Sequence, residues 1–360
     1  MSAGFPAAEG ASKVDSMTVE PPTLRTRFTE RFDVRHPIVC APMALITGGR
    51  LARAVSRAGG LGIIGGGYAG VLGGEPDLDA ELALARRDAF GVGFITWALA
   101  QAPERLTAAL AVKPACVFLS FGDPRPFAPE IRRTGARLIC QVQTLRHIDE
   151  AIDAGADAIV AQGSEAGGHG GGRATMAFVP EAADRISRRS PDTLLLAAGG
   201  IADGRGLAAA LMLGADGVVV GTRFWASAEA LTSDAAMNLA EQATGDDTVR
   251  TTAVDALRGA PWPEGFSFRV LENDLTRAWA GRETEARAAF GSLKAEYDTA
   301  RASGDLRTAA VVVGEAVGLV RGRPPAAAIV ETMVAEAWAR LSVAAARLTR
   351  PGNWPATQHR

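Results

Sequence analysis

Eight short apolar runs, each followed by a stretch with helical patterning, dominate residues 37–222. They are PIVCAPM (37–43), LGIIGG (61–66), FGVGFIT (90–96), ACVFLSFG (115–122), RLICQV (137–142), AIVAQG (158–163), LLLAAGG (194–200) and GVVVGT (217–222). Hydrophobicity this continuous is what a parallel strand covered on both faces requires, since neither face alternates with water. The segments between carry helix start and stop signals. In TLRHIDEAIDAG, Thr144 is a capping residue, Leu145, Ile148 and Ile152 form an apolar stripe, and Gly155 is the stop. DGRGLAAALMLG repeats the plan with Asp203, Leu207, Leu211 and Gly214. Eight such units predict an α/β fold, a closed (β/α)8 TIM barrel, with an open doubly wound sheet as the alternative.

The pattern changes after Trp225. The expected organisation is a flexible N-terminal tail (1–25), the barrel (26–228), a helical cap with the substrate region (229–304) and C-terminal helices packing on barrel or cap (305–360). A hydrophobic content of 48% allows a large core, and a net charge of -2 without lysine or arginine blocks gives no footprint for nucleic acid or an anionic membrane. Cys40, Cys116 and Cys140 each lie within an apolar run. They read as buried reduced thiols, and no metal site is expected. No apolar stretch has signal-peptide character or approaches the ~20 residues that span a bilayer, so a soluble, cytoplasmic protein is expected. The apolar helices within 305–347 suit burial against the barrel or a second subunit, which leaves a homodimer open.

Barrel active sites form at the C-terminal ends of the strands. Gly199 and Gly200 follow the seventh run and Gly221 and Thr222 the eighth, where barrels recurrently hold phosphate with backbone N–H groups at helix N-termini. APMA (41–44) leaves the first run with a proline and a polarisable methionine, which suits a wall against a flat ring or ordinary packing. QGSEAGGHGG (162–171) follows the sixth run and places His169 among glycines at the mouth. Imidazole titrates near neutrality, so His169 is the candidate functional residue, as a general base or as a group that orients the substrate. Glu165 either orients that ring or fixes its loop. His36, His147 and His359 read as structural or tail residues. Trp97 and Phe121, and Trp262, Phe266 and Phe268 of the cap, either shape a pocket or pack.

APMA, AGGLGIIGGG (58–67), QGSEAGGHGG and AAGGIADGRGLAAALMLGADGVVVGTRF (197–224) together resemble the nitronate monooxygenase family, once called 2-nitropropane dioxygenases, over residues 34–228. The resemblance implies an FMN-dependent oxidoreductase that uses O2 to convert alkyl nitronates, or nitroalkanes, to a carbonyl compound and nitrite. Ala41, Pro42 and Met43 would line the flavin ring, with Gln162 and Gly167 on the cofactor side. Gly199, Gly200, Gly221 and Thr222 would bind the phosphate, and His169 matches the family's catalytic histidine. Gln141 and Gly93 align with cofactor-side positions where some relatives carry lysine and asparagine, so charge at the flavin would be weaker or come from another residue. The same loops also resemble FMN-dependent NAD(P)H reductases acting on enoyl-acyl carriers or quinones. A barrel that binds flavin without turnover is a third reading.

Overall fold

The computed structural model describes residues 22–71, 75–86 and 88–347; residues 1–21 of the expected tail, and His359, lie outside them. Each apolar run forms a parallel strand: β1 (Ile38–Cys40), β2 (Gly62–Gly65), β3 (Phe90–Ile95), β4 (Cys116–Ser120), β5 (Arg137–Val142) and β6 (Ala158–Gln162). A short strand, β7 (Gly168–Gly170), leaves this series, which resumes with β8 (Leu194–Ala198) and β9 (Gly217–Val220). The order is β1-β9-β8-β6-β5-β4-β3-β2, and a parallel bridge between Val39 and Leu61 joins the two ends. Cys40 N–H donates to the Leu61 carbonyl at 2.9 Å, and Leu61 N–H to that of Ile38 at 2.9 Å. The sheet is therefore closed, and the open doubly wound alternative is excluded.

Period-two alternation divides the strands between two cores. Val39, Ile63, Cys116, Phe118, Ile139, Ala158, Val160, Leu194, Leu196 and Val219 fill the barrel interior, which Phe28 of the helix Arg27–Phe32 plugs from below. The opposite parity, including Ile38, Val92, Val117, Ile159 and Val218, packs under the helices. The helices obey the expected signals. Thr144 caps Leu145–Asp153 by accepting from His147 N–H, and Asp203 caps Gly204–Met212 by accepting from Arg205 and Gly206 N–H. All three cysteines are buried and unpaired, and burial pushes the Cys116 thiol up to about 12.

The helix that completes the ring after β9 is Ala326–Ala346, which packs on Gly204–Met212 and on Gly49–Arg57. Its buried residues Ala326, Ile329, Val330, Met333, Val334 and Ala337 form one helical stripe. The intervening chain crosses the barrel mouth. The sequence predicts helix here, yet the segment also carries β10 (Thr248–Thr251) and β11 (Ser267–Leu271). These strands and β7 form an antiparallel sheet in the order β10-β11-β7. The difference has a local cause: TVRT and SFRVL alternate in polarity and are rich in β-formers, and β11 offers a free edge to the glycine-rich β7. Among the described residues no helix is long and apolar enough to cross a membrane.

Candidate active site

The interior parity of the strands continues upward into the mouth. Two residues beyond core-filling Val39, Phe118, Ile139, Val160, Leu196 and Val219 come Ala41, Ser120, Gln141, Gln162, Ala198 and Gly221, and all six line one cavity of about 530 Å³. That volume suits a small-molecule site. Every residue that the sequence assigned to catalysis or cofactor binding reaches this cavity: Ala41, Pro42, Met43, Gly93, Gln141, Gln162, Gly167, His169, Gly199, Gly200, Gly221 and Thr222. The roof comes from the cap, through Arg258, Trp262, Phe268, Tyr297 and the segment 309–312.

His169 sits between the two parts of the molecule. Its strand pairs with β11 so that Phe268 lies opposite it, and the two rings stack at 4.2 Å. Trp262 stacks on the imidazole at a centroid distance of 3.3 Å and 9°. The ring edge is fixed as well: Nε2 lies 2.9 and 3.0 Å from the two carboxylate oxygens of Asp255. Burial pushes the His169 pKa down to about 4; Asp255 opposes this shift, while Arg258 and Arg250 add to it. The imidazole is neutral at physiological pH.

Polar side chains hold the loop beneath. Gln162 donates from Nε2 to the His169 carbonyl at 3.0 Å and accepts from Gln143 Nε2 at 2.9 Å. Its amide keeps one N–H and one lone pair for the cavity. Glu165 does not orient the ring. Its carboxylate accepts from the backbone N–H and hydroxyl of Thr175, which pins the loop to the next helix. Arg250 spans loop and cap, donating to the carbonyls of Ser164, Ala166, Gly170 and Ser267. Gly167 packs against the cap backbone at Val313 and Gly314, where a Cβ would come within 2.4 and 2.6 Å.

The region after β8 and β9 departs in one respect from the sequence expectation. The N-terminus of Gly204–Met212 is already occupied by carboxylates, Asp203 at Arg205 and Gly206 and Glu336 at Gly204, so it is no phosphate site. The turns themselves are open. Ala198 pairs with Val219, so Gly200 and Gly221 leave adjacent strands at one level. Gly199 and Gly200 turn with φ of 103° and 73°. Among the described residues no amide of Gly199, Gly200, Gly221 or Thr222 donates to protein. A Cβ on Gly221 would meet nothing nearer than 3.8 Å, so packing does not demand a glycine there; its absent side chain leaves space in the cavity.

Phe121, Trp262 and Phe268 line the cavity, while Trp97 and Phe266 pack edge-on against Trp262 from behind. His147 stacks on Phe266, and His36 is buried below the barrel mouth's opposite end, beside the β1 entry. Asp255, Arg258 and Tyr68 carried no sequence signal that joined them to His169. Among the described residues no group of three or more His, Cys, Asp or Glu is placed to hold a metal.

The family model for nitronate monooxygenase matches residues 25–87 and 94–336. The chain belongs to the nitronate monooxygenase family. It is an oxidoreductase. Nitronate monooxygenase npaC of Metarhizium robertsii is 39% identical over 355 residues, covering 86% of this chain and 93% of that relative. Among solved structures, FabK from Thermotoga maritima is similar with a TM-score of 0.78 at 31% identity, over 91% of this chain and all (100%) of that one. Nitroalkane oxidase from Streptomyces ansochromogenes is similar with a TM-score of 0.72 at 26% identity, over 87% and 99% of the two chains. The Gln141 side chain makes no hydrogen bond to protein among the described residues, and the cations lining the cavity are Arg258 and Arg301.

Proposed function

We propose that this protein oxidises alkyl nitronates, and more slowly neutral nitroalkanes, with O2 to a carbonyl compound and nitrite, using FMN. One observation carries the reading: a buried, neutral imidazole stands over a cavity whose floor ends in unpartnered backbone amides. The residues present fit FMN. Gly199, Gly200, Gly221 and Thr222 would hold the phosphate through N–H groups, and the Thr222 hydroxyl, which accepts from Gly314 N–H, keeps its proton to donate. Ala41, Pro42 and Met43, with Gly93, would form the wall behind a flat ring, and Gln141, Gln162 and Gly167 its polar edge. When bound, the flavin supplies an electron acceptor for the substrate and an electron donor for O2.

The chain's own groups handle substrate and proton. Phe121, Trp262 and Phe268 exclude water around His169, and Arg258 faces the negative charge of a nitronate. A neutral imidazole can accept the α-proton of a nitroalkane. With a pKa near 4, however, it is a weak base, well below the near-neutral value that general-base catalysis favours. A nitronate, already ionised, needs no such step, so nitronates are the better substrates.

The test is the absorbance spectrum of purified protein, then O2 uptake and nitrite release with propionate 3-nitronate and with nitroethane. Flavin absorbance and faster turnover of the nitronate are expected. His169→Asn should retain flavin and lose most turnover of nitroethane. A flavin that bleaches anaerobically with NADH or NADPH, but not with nitronate, would replace this reading with a nicotinamide-dependent reductase; colourless protein that FMN cannot reconstitute would end it.

A further inference from the structure

We propose that Asp255 is the positioning residue of this site: its carboxylate fixes the tautomer in which His169 carries its proton on Nε2 and offers Nδ1 to the substrate. The inference rests on the reading of His169 as the proton-handling group. Its own support is geometric. Both Asp255 oxygens lie within 3.0 Å of one ring nitrogen, and both side chains are buried, so the contact has no competing water. An ionised carboxylate accepts only, so the proton between them belongs to Nε2. The stacks with Trp262 and Phe268 prevent the ring from turning to exchange its nitrogens. Nδ1 has no protein hydrogen bond among the described residues, and it is not among the sealed polar atoms lacking a partner. Its open side is therefore the cavity that His169 lines.

The charges around the pair fit this role. Arg258, on the same short helix as Asp255, approaches the carboxylate at 4.0 Å; Arg250 comes from β10, and Tyr68 and Tyr297 face Arg258. With a nitroalkane, the α-carbon proton passes to Nδ1, the C–H electron pair becomes the C=N bond of the nitronate with the charge on its oxygens, and the new imidazolium charge lies against Asp255. The carboxylate then acts through the ring and never touches the substrate.

Full-length protein labelled with ¹⁵N-histidine tests the tautomer directly. The chain has four histidines, and His169→Asn identifies the relevant signal. An Nε2–H tautomer is expected in the wild type, lost or mixed in Asp255→Asn and restored in Asp255→Glu. In kinetics with nitroethane, Asp255→Asn should lower kcat by up to about 10⁴-fold with little change in KM, the effect that removal of the analogous carboxylate has in a hydrolase triad. Propionate 3-nitronate turnover should fall far less. The acid limb of kcat/KM should move to lower pH, because the group that raises the His169 pKa is gone; Asp255→Glu should move it back. A wild-type Nδ1–H tautomer overturns the proposal without any variant. An Asp255→Asn protein with unchanged tautomer and unchanged acid limb overturns it too, leaving Asp255 as a partner of Arg258 alone. Failure of the wild type to oxidise any nitronate would instead strike the functional reading, and the labelled spectra would still decide the tautomer.

Discussion

At Gly167 the loop bearing His169 touches the backbone of the cap. The atoms a Cβ would meet there are the Val313 carbonyl carbon and Gly314 nitrogen, which cannot rotate aside as a side chain could. Gly167→Ala should therefore displace the loop, with a stability cost of about 1–3 kcal/mol typical of overpacking. A fall in Tm together with a fall in kcat is expected; an unchanged Tm would show that the contact yields. This scale also marks the limit of reading a site from sequence. His169, Gln162, Gly199 and Gly221 were legible because strand parity and the rule that barrels work at strand ends place them together. Asp255 was not, since it comes 86 residues after His169 on a helix of six residues whose position depends on how the cap folds back. Glu165 had the right chemistry and the nearer position, yet its carboxylate is committed to Thr175.

The second sheet is the element that makes loop and cap one unit. β7 has almost no intrinsic strand propensity, being Gly168–Gly170, and it persists because β11 supplies the partner and Arg250 gathers its neighbouring carbonyls. Arg250→Met keeps the aliphatic bulk and removes the donors. The freed carbonyls of Ser164, Ala166, Gly170 and Ser267 would lose charge-assisted hydrogen bonds worth about 1.5–3 kcal/mol each in general, although water can replace part of that. Faster amide exchange across residues 164–171 and 267–271 is expected, with flavin absorbance retained. Protection equal to wild type would assign the ordering to the ladder alone. The barrel elements were legible because each run is a complete strand. The cap strands carried a period-two signal in TVRT and SFRVL, but it is too short to outweigh the polar, helix-compatible residues around it.

For the whole molecule, the buried imidazole links stability to pH. An unfolded histidine takes its proton near 6.5, whereas folded His169 does so only near 4. Between those values the unfolded chain binds more protons, so stability falls as pH drops from about 6.5 to about 4, and the loss is complete below that. The difference corresponds to about 3 kcal/mol. Denaturation curves should show this decline in the wild type and a shallower one in His169→Asn. An equal slope in the two would mean that other groups dominate acid unfolding.

The helix Ala326–Ala346 completes the ring, yet about a hundred residues separate it from β9 along the chain. A ribosome therefore releases every strand of the barrel, and then the entire lid, before it synthesises the stave that seals them. Until then the flanks of Gly204–Met212 and Gly49–Arg57 that this helix covers stay bare. Chains stalled near residue 300 should bind chaperones and be cleaved readily, whereas those extended past 347 should resist. The enzyme's lid is thus translated inside its barrel, so its final seam closes around a finished roof.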